Sequence, residues 1–345
     1  MEGFGRFWNL PDRTVLSHSA VVSSAARYEE EPLVNLMEAP KVSVWTDARP
    51  EPADHWDRRR YAELRDEARL ADQLGFHSIC TTEIHGVDEG YMPTQLPLIT
   101  GLSDATERIR FMTNTLLLPL HPWDQVVEQA LVADLLSAGR LSLGVAAGRY
   151  APEYDLAGVD FRRRGALMED GLRFLQQNLG GADGPDEGRI PVYVGGSTVH
   201  ALDRAVRLAD GAVPVDFFDA DTAFADLWET RLAPALSAHD RTLDDFRFTI
   251  CVPLWASDDP ERDWFLFYEQ AIAYQFGQFE PDPWWTRERM LVDTPEEIAR
   301  RLREIRSRAP YHEIVFWYRI PGIGHERALE HLDLVAQRVL PLLAA

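Results

Sequence analysis

From Lys41 onward, short apolar runs alternate with segments in which apolar residues recur every three or four positions. The first pattern belongs to strands covered on both faces, the second to helices with one face turned inward. Strands are predicted over 42–45, 76–82, 109–118, 141–147, 191–194, 211–215, 246–255 and 313–318. Helices are predicted between them: one carrying Tyr61, Leu64, Ala68 and Ala71, others over 97–104, 126–136, 166–179, 224–236 and 295–308, and one carrying Ala201, Ala205 and Leu208. A last helix covers 326–343. Gly75 and Gly139 stand where a helix end accepts a left-handed residue. Eight strands alternating with helices, without a strong linker, predict one α/β domain over 41–345, a (β/α)8 TIM barrel. A doubly wound open sheet is the alternative. Residues 1–40 fall outside the repeat and form an N-terminal extension punctuated by Pro11, Pro32 and Pro40. An aromatic-rich insertion follows strand seven. Its rings either anchor it to the barrel or line an apolar pocket as a lid.

Composition narrows the class of partner. The formal charge of −21, with 35 basic against 56 acidic residues, excludes a nucleic-acid surface and disfavours anionic lipid. No apolar run approaches the length of a membrane span, and the first residues lack a basic segment followed by an apolar one. A cytoplasmic protein is expected, its two cysteines, Cys80 and Cys251, buried and reduced in strands. Lys41 is the only lysine, which is read as the codon bias of a GC-rich genome.

In a parallel barrel the functional end is the one where strands terminate, and two unusual loops are predicted there, over 119–122 and, polar, over 148–158. Glu83 and His85 leave strand two there, two residues apart and so on one side of an extended segment. His85 could orient an anion, donate a proton or pack. The pair alone does not make a metal site, and no zinc spacing, GxSxG or GxxxxGK[ST] occurs. Gly195-Gly196-Ser197-Thr198 lies between strand and helix. It reads either as a tight turn capped by Ser197 or Thr198, or as an anion cradle at a helix start. Arg162-Arg163-Arg164 opens a helix against its dipole; Asp155, Asp160 and Glu169 are the expected offset, a bound phosphate the alternative. Arg149, after strand four, projects from a strand end and is the better phosphate candidate.

Several of these residues occur in an order that resembles the bacterial luciferase-like flavin monooxygenases. The resemblance is carried by Glu83-Ile84-His85, by 113–119 with His121-Pro122, by 139–144, by Gly148-Arg149-Tyr150 with Glu153-Tyr154 and Gly158, and by 191–197. It implies a barrel that binds reduced FMN at its C-terminal mouth and activates O2. A non-proline cis peptide is implied at Asn114–Thr115, with Asn114 and Thr115 against the flavin ring. The cofactor phosphate is implied near Ala147, Gly148, Arg149, Tyr150, Gly195, Gly196, Ser197 and His200. His85 and Glu83 are the implied catalytic pair, and Trp45, Tyr268, Phe276 and Trp284 the implied substrate pocket. Two positions depart from the family: Ile84 stands where its Glu-His-His run has the first histidine, and Ala147 where an arginine meets the phosphate. The expected activity is a two-component monooxygenase, supplied with FMNH2 by a separate flavin reductase and acting on an apolar or aromatic organic substrate. A deazaflavin-dependent hydride-transfer enzyme and a non-catalytic flavin-binding protein are the alternatives. The family also implies a homodimer joined through early helices.

Overall fold

The computed structural model describes residues 39–46, 48, 58–86, 93–179, 189–214, 220–265, 290–319 and 323–344. The N-terminal extension and the pocket candidates Tyr268, Phe276 and Trp284 lie outside the described residues.

Eight parallel strands close into a barrel. Along the chain they are β1 (Lys41–Thr46), β2 (Ser78–Thr81), β3 (Arg110–Leu117), β4 (Leu141–Ala146), β5 (Val192–Gly195), β6 (Gly211–Val213), β7 (Arg247–Val252) and, last, Glu313–Trp317, which pairs with both β1 and β7. Helices α1 (Arg58–Leu74), α2 (Gln95–Ser103), α3 (Trp123–Leu136), α4 (Ala151–Ala157), α5 (Arg164–Asn178) and α6 (Val199–Leu208) follow the first strands. Apolar side chains between strands and helices form the main core, from Val44 and Leu64 through Phe111 and Leu143 to Phe316. Within the barrel the lower layer is polar: Glu313 accepts from Ser43, Ser78 and Thr249. Above it lie Cys80, Met112, Val315 and Cys251, then Trp45 and Trp317, whose ring centroids are 4.9 Å apart. Both cysteines are buried and neither forms a disulfide.

Three sequence expectations are corrected. The predicted seventh strand breaks at Pro253, which has no N–H to give a ladder. Its continuation, Leu254–Ala256, pairs instead with Leu291–Asp293 in a small parallel sheet outside the barrel. The predicted polar loop over 148–158 contains α4, closed by Gly158 in the left-handed region at φ +67°. The helix predicted over 224–236 runs from Ala220 to Ala238 with a π turn at Trp228–Leu232.

Motif residues at the amino ends of the strands serve the frame. The Asp72 carboxylate accepts from the N–H groups of Glu107, Arg108 and Ile109, fixing the turn into β3. Arg140 donates to the carbonyls of Ser103, Thr106, Ile109 and Ser137. Gly139-Arg140 is therefore a clamp at the end remote from the mouth, where sequence constraint reflects stability. No described helix is long and apolar enough to cross a membrane.

Candidate active site

The mouth is built around an irregularity in β3. The Asn114–Thr115 peptide bond is cis, as the resemblance implies, and the pairing of β3 with β4 slips between Thr113 and Leu116. Gly144 makes room for it: a Cβ there would lie 2.1 Å from the Thr113 carbonyl oxygen. Beyond the slip, Thr115, Ala146 and Gly195 come together from three successive strands. A Cβ on Gly195 would stand 2.8 Å from Thr115 Cγ2 and 3.2 Å from Ala146 Cβ. The missing Cβ at Gly195 thus lets these three strand ends pack closely at the barrel top. Asn114, 2% exposed, donates from Nδ2 to Cys251 Sγ at 3.3 Å, while its Oδ1 accepts no hydrogen bond among the described residues. A buried, unsatisfied amide oxygen costs on the order of 1–3 kcal/mol and suits a ligand N–H.

Beside these strand ends are the turns proposed for an anion. Gly196 adopts φ +110°, and Thr198 caps α6, its Oγ1 accepting from Ala201 N at 3.2 Å. The capping role predicted for Ser197 or Thr198 thus falls to Thr198. Ser197 is half-buried and His200 exposed on the first turn of α6. Ala147 and Gly148, the latter at φ +71°, follow β4, and Tyr154 donates to the Ala147 carbonyl from below. Arg149 is exposed on this loop, with Tyr150 half-buried at the start of α4. Arg231, which the sequence did not single out, donates to the Ser197 carbonyl at 2.9 Å, bringing a guanidinium beside this turn. The arginine triplet is offset locally. Asp160 accepts from Arg162 N, and Arg164 stacks 4.0 Å over Phe161. Glu169 instead holds Arg173 and Arg207.

The titratable cluster is larger than predicted. Glu83, 3% exposed, accepts at Oε1 from Leu117 N at 2.7 Å and pairs with His121 Nε2 at 2.9 Å. His85 shares its side, as the spacing predicts, with Nε2 3.5 Å from the same oxygen. That nitrogen is buried and makes no hydrogen bond among the described residues. Its main-chain N–H donates to Glu153, a second buried carboxylate, at 2.9 Å. The two imidazoles meet edge to face at 5.7 Å. Burial alone would push the Glu83 carboxyl up; the hydrogen bond with His121, the nearby His85 imidazole and the Leu117 N–H together outweigh it and hold it at about 2. The Glu83 carboxylate raises His85 against the opposing effect of burial, and burial raises Glu153. His121 was visible only as part of a motif. A 3-10 turn at Leu118–Leu120 brings it back over Glu83, and no strand or helix period encodes that return. With His121 present, three ligand-type side chains lie within 4.8 Å of one another, a constellation Glu83 and His85 alone did not announce. Trp45, the described member of the predicted pocket, lies 8% exposed inside the barrel against Trp317.

Residues 40–312 match the family model of luciferase-like monooxygenases. The oxygenase component of a flavin-dependent trigonelline monooxygenase from Acinetobacter baylyi is 31% identical over 112 residues, covering 32% of this chain and 31% of that protein. The chain thus spans about a third of that relative's length. An F420-dependent glucose-6-phosphate dehydrogenase from Microbacterium testaceum is 25% identical over 273 residues, covering 70% of this chain and 76% of its own. Among solved structures, the monooxygenase RslO1 from Streptomyces bottropensis superposes with a TM-score of 0.77 at 18% identity. That match covers 87% of this chain and 99% of RslO1, and speaks for the fold.

Proposed function

The chain belongs to the luciferase-like monooxygenase family, and from that premise we propose that it is the oxygenase of a two-component system using FMNH2 delivered by a separate reductase. The observation that carries this reading is the buried, unsatisfied Asn114 oxygen on β3, next to the close-packed strand ends of Thr115, Ala146 and Gly195. The ring of the cofactor would lie against Asn114 and Thr115. Its phosphate would be held at the turn of Gly195, Gly196 and Ser197, with Gly148, Arg149, Tyr150 and His200 around it. Reduced FMN, when bound, supplies the electrons that activate O2 for insertion of one oxygen atom into the substrate. The chain's own part is to bind, orient and exclude water, and to hold a proton in the Glu83–His85–His121 cluster. Trp45 and Trp317 offer an apolar wall to an aromatic or aliphatic substrate.

Substrate-dependent O2 uptake with supplied FMNH2 is the expected result, with turnover abolished under anaerobic conditions. The F420-dependent relative, matched over 70% of this chain, supports the second reading, hydride transfer from a reduced deazaflavin. Anaerobic turnover with that cofactor would replace the first reading by the second. A flavin-binding protein without catalysis would show neither. In the Ser197→Asp, Arg149→Ala double variant, FMNH2 binding should weaken at least about tenfold, because a like charge replaces a donor and a cation is lost. Unchanged affinity in a titration would remove the phosphate site.

We also infer a homodimer formed through α3. Its C-terminal half exposes Leu131, Val132, Leu135 and Leu136, from 47% to 78% each, on a chain whose net charge is −21. Such a neutral apolar stripe is self-complementary across a two-fold axis, whereas the acidic surface around it repels a second copy. Leu135→Glu is expected to convert a particle of twice 39.2 kDa into one of 39.2 kDa in light scattering. A wild-type mass of one chain would exclude the dimer.

A further inference from the structure

Glu83 treats its two histidine neighbours unequally. Its Oε1 meets His121 Nε2 at hydrogen-bond distance, 2.9 Å, and His85 Nε2 only at 3.5 Å. The carboxylate cannot turn to even the balance, because Leu117 N binds the same oxygen at 2.7 Å and the side chain is buried. Held at about 2, Glu83 is ionised at neutral pH and can only accept. The proton in the Glu83–His121 bond therefore belongs to His121 Nε2. Neutral His121 must then present its Nδ1 lone pair on the opposite side of the ring. A carboxylate that fixes the tautomer and direction of an imidazole is the arrangement by which histidines are readied for proton transfer.

We propose that His121, oriented by Glu83, is the proton-transfer group of this site, and that His85 is the neighbour that packs against it. The proposal rests on the flavin-oxygenase reading for its reaction, though not for its geometry. In the step, His121 Nδ1 takes a proton from an O–H or N–H of the bound reactants, and Nε2–H stays on Glu83. The imidazolium so formed is countered by the Glu83 charge, and the proton is returned later in the cycle. Placement favours it. Glu83 is tied to the last residue of β3, the strand that carries Asn114 and Thr115, so His121 stands over the same strand end. His121 is also 24% exposed. The other ionisable groups facing the pair are Glu83 from the end of β2, His85 two residues on, and Glu153 from α4. Glu83 and Glu153 favour the charged form of His85, against the opposing effect of burial. His85, whose main chain is tied to Glu153 and whose Nε2 lacks a hydrogen bond among the described residues, has no comparable fixed direction.

Nitrogen-15 NMR of the histidine side chains in the cofactor-free protein tests the geometry without any turnover. His121 is expected as the Nε2–H tautomer at neutral pH, and Glu83→Leu should return it to a mixture of tautomers. A wild-type Nδ1–H tautomer overturns the proposal. In the loaded enzyme, His121→Asn should lower kcat by about a hundredfold, with substrate KM within threefold and one limb of the pH profile lost. His85→Asn should lower kcat by less than tenfold, and added imidazole should restore part of the His121→Asn rate. A larger loss in His85→Asn than in His121→Asn overturns the proposal. Absence of FMNH2-dependent O2 uptake in the wild type sinks the oxygenase reading alone, since the tautomer measurement stands apart from it.

Discussion

Alanine at position 144 is expected to destabilise the protein by about 3 kcal/mol or more, the upper part of the range for overpacking a closed core. The added Cβ would lie 2.1 Å from the carbonyl oxygen of Thr113, a backbone atom that cannot swing away as a side-chain tip can. Strands β3 and β4 would have to part at the step where their register slips. In a chain of this length the loss corresponds to roughly 4 °C in thermal midpoint. The same displacement moves Asn114 and Thr115, so FMNH2 affinity should fall with stability. Calorimetry and a binding titration on Gly144→Ala check both. A variant with unchanged midpoint would mean that the slip is not constrained by β4.

The second large effect is expected at Glu67. This side chain, 1% exposed, lies between α1 and the end of the last barrel strand. It accepts from Arg60 at 3.0 and 3.2 Å, from Arg319 at 2.6 Å and from Tyr318, and it pairs with His325 Nδ1 at 2.9 Å. Glu67→Ala would remove the buried anion between two buried guanidinium groups and leave them the partly exposed Glu63, 2.9 Å from Arg319 and 3.7 Å from Arg60, at a cost of about 3 kcal/mol in denaturant unfolding. The pH dependence has a definite sign. Burial pushes the Glu67 carboxyl up, but Arg60, His325, Arg319 and Tyr318 together hold it at about 2, against 4.5 for a free glutamate. The unfolded chain therefore binds the proton more readily. The stabilisation is complete above about pH 4.5 and is lost as pH falls toward 2, amounting to about 2 kcal/mol between pH 6 and pH 3. The Glu67→Ala variant should lose correspondingly less over that interval. Equal acid sensitivity in variant and wild type would count against the network.

The barrel was legible because its two periodicities are strong and regular. Buried strands read as continuous apolar runs and helices as one-sided stripes, and Gly75, at φ +82°, ended α1 where its sequence position said it would. Strand seven was overrun because apolarity does not stop at Pro253; only the missing N–H does. The partner strand, Leu291–Asp293, is three residues long and carries no period of its own. In the site, Glu83 and His85 were legible from extended spacing, and Asn114–Thr115 from resemblance. His121 and Glu153 were legible as motif residues but not for the contacts they make, and the roles of Cys251 and Arg231 were not legible, since each reaches the mouth from a different element. His121 returns by a 3-10 turn, Glu153 comes from α4, Cys251 from across the barrel and Arg231 from a π turn. Such meetings are properties of the closed sheet, and a single sequence records the residues without recording the closure.

The small sheet outside the barrel separates the barrel register from the segment it closes. Leu254–Ala256 and Leu291–Asp293 are joined rung by rung, and Ser257 N adds a bond to the Asp293 carbonyl at 3.0 Å. Departure and return of the intervening segment are thereby fastened to one another before either reaches the eight barrel strands. Lengthening a segment fastened in this way carries a closure penalty that grows only logarithmically, about 0.6 kcal/mol per doubling. The aromatic insertion is in effect a cassette. A change in its length is absorbed at this small sheet, and the barrel register stays as it is.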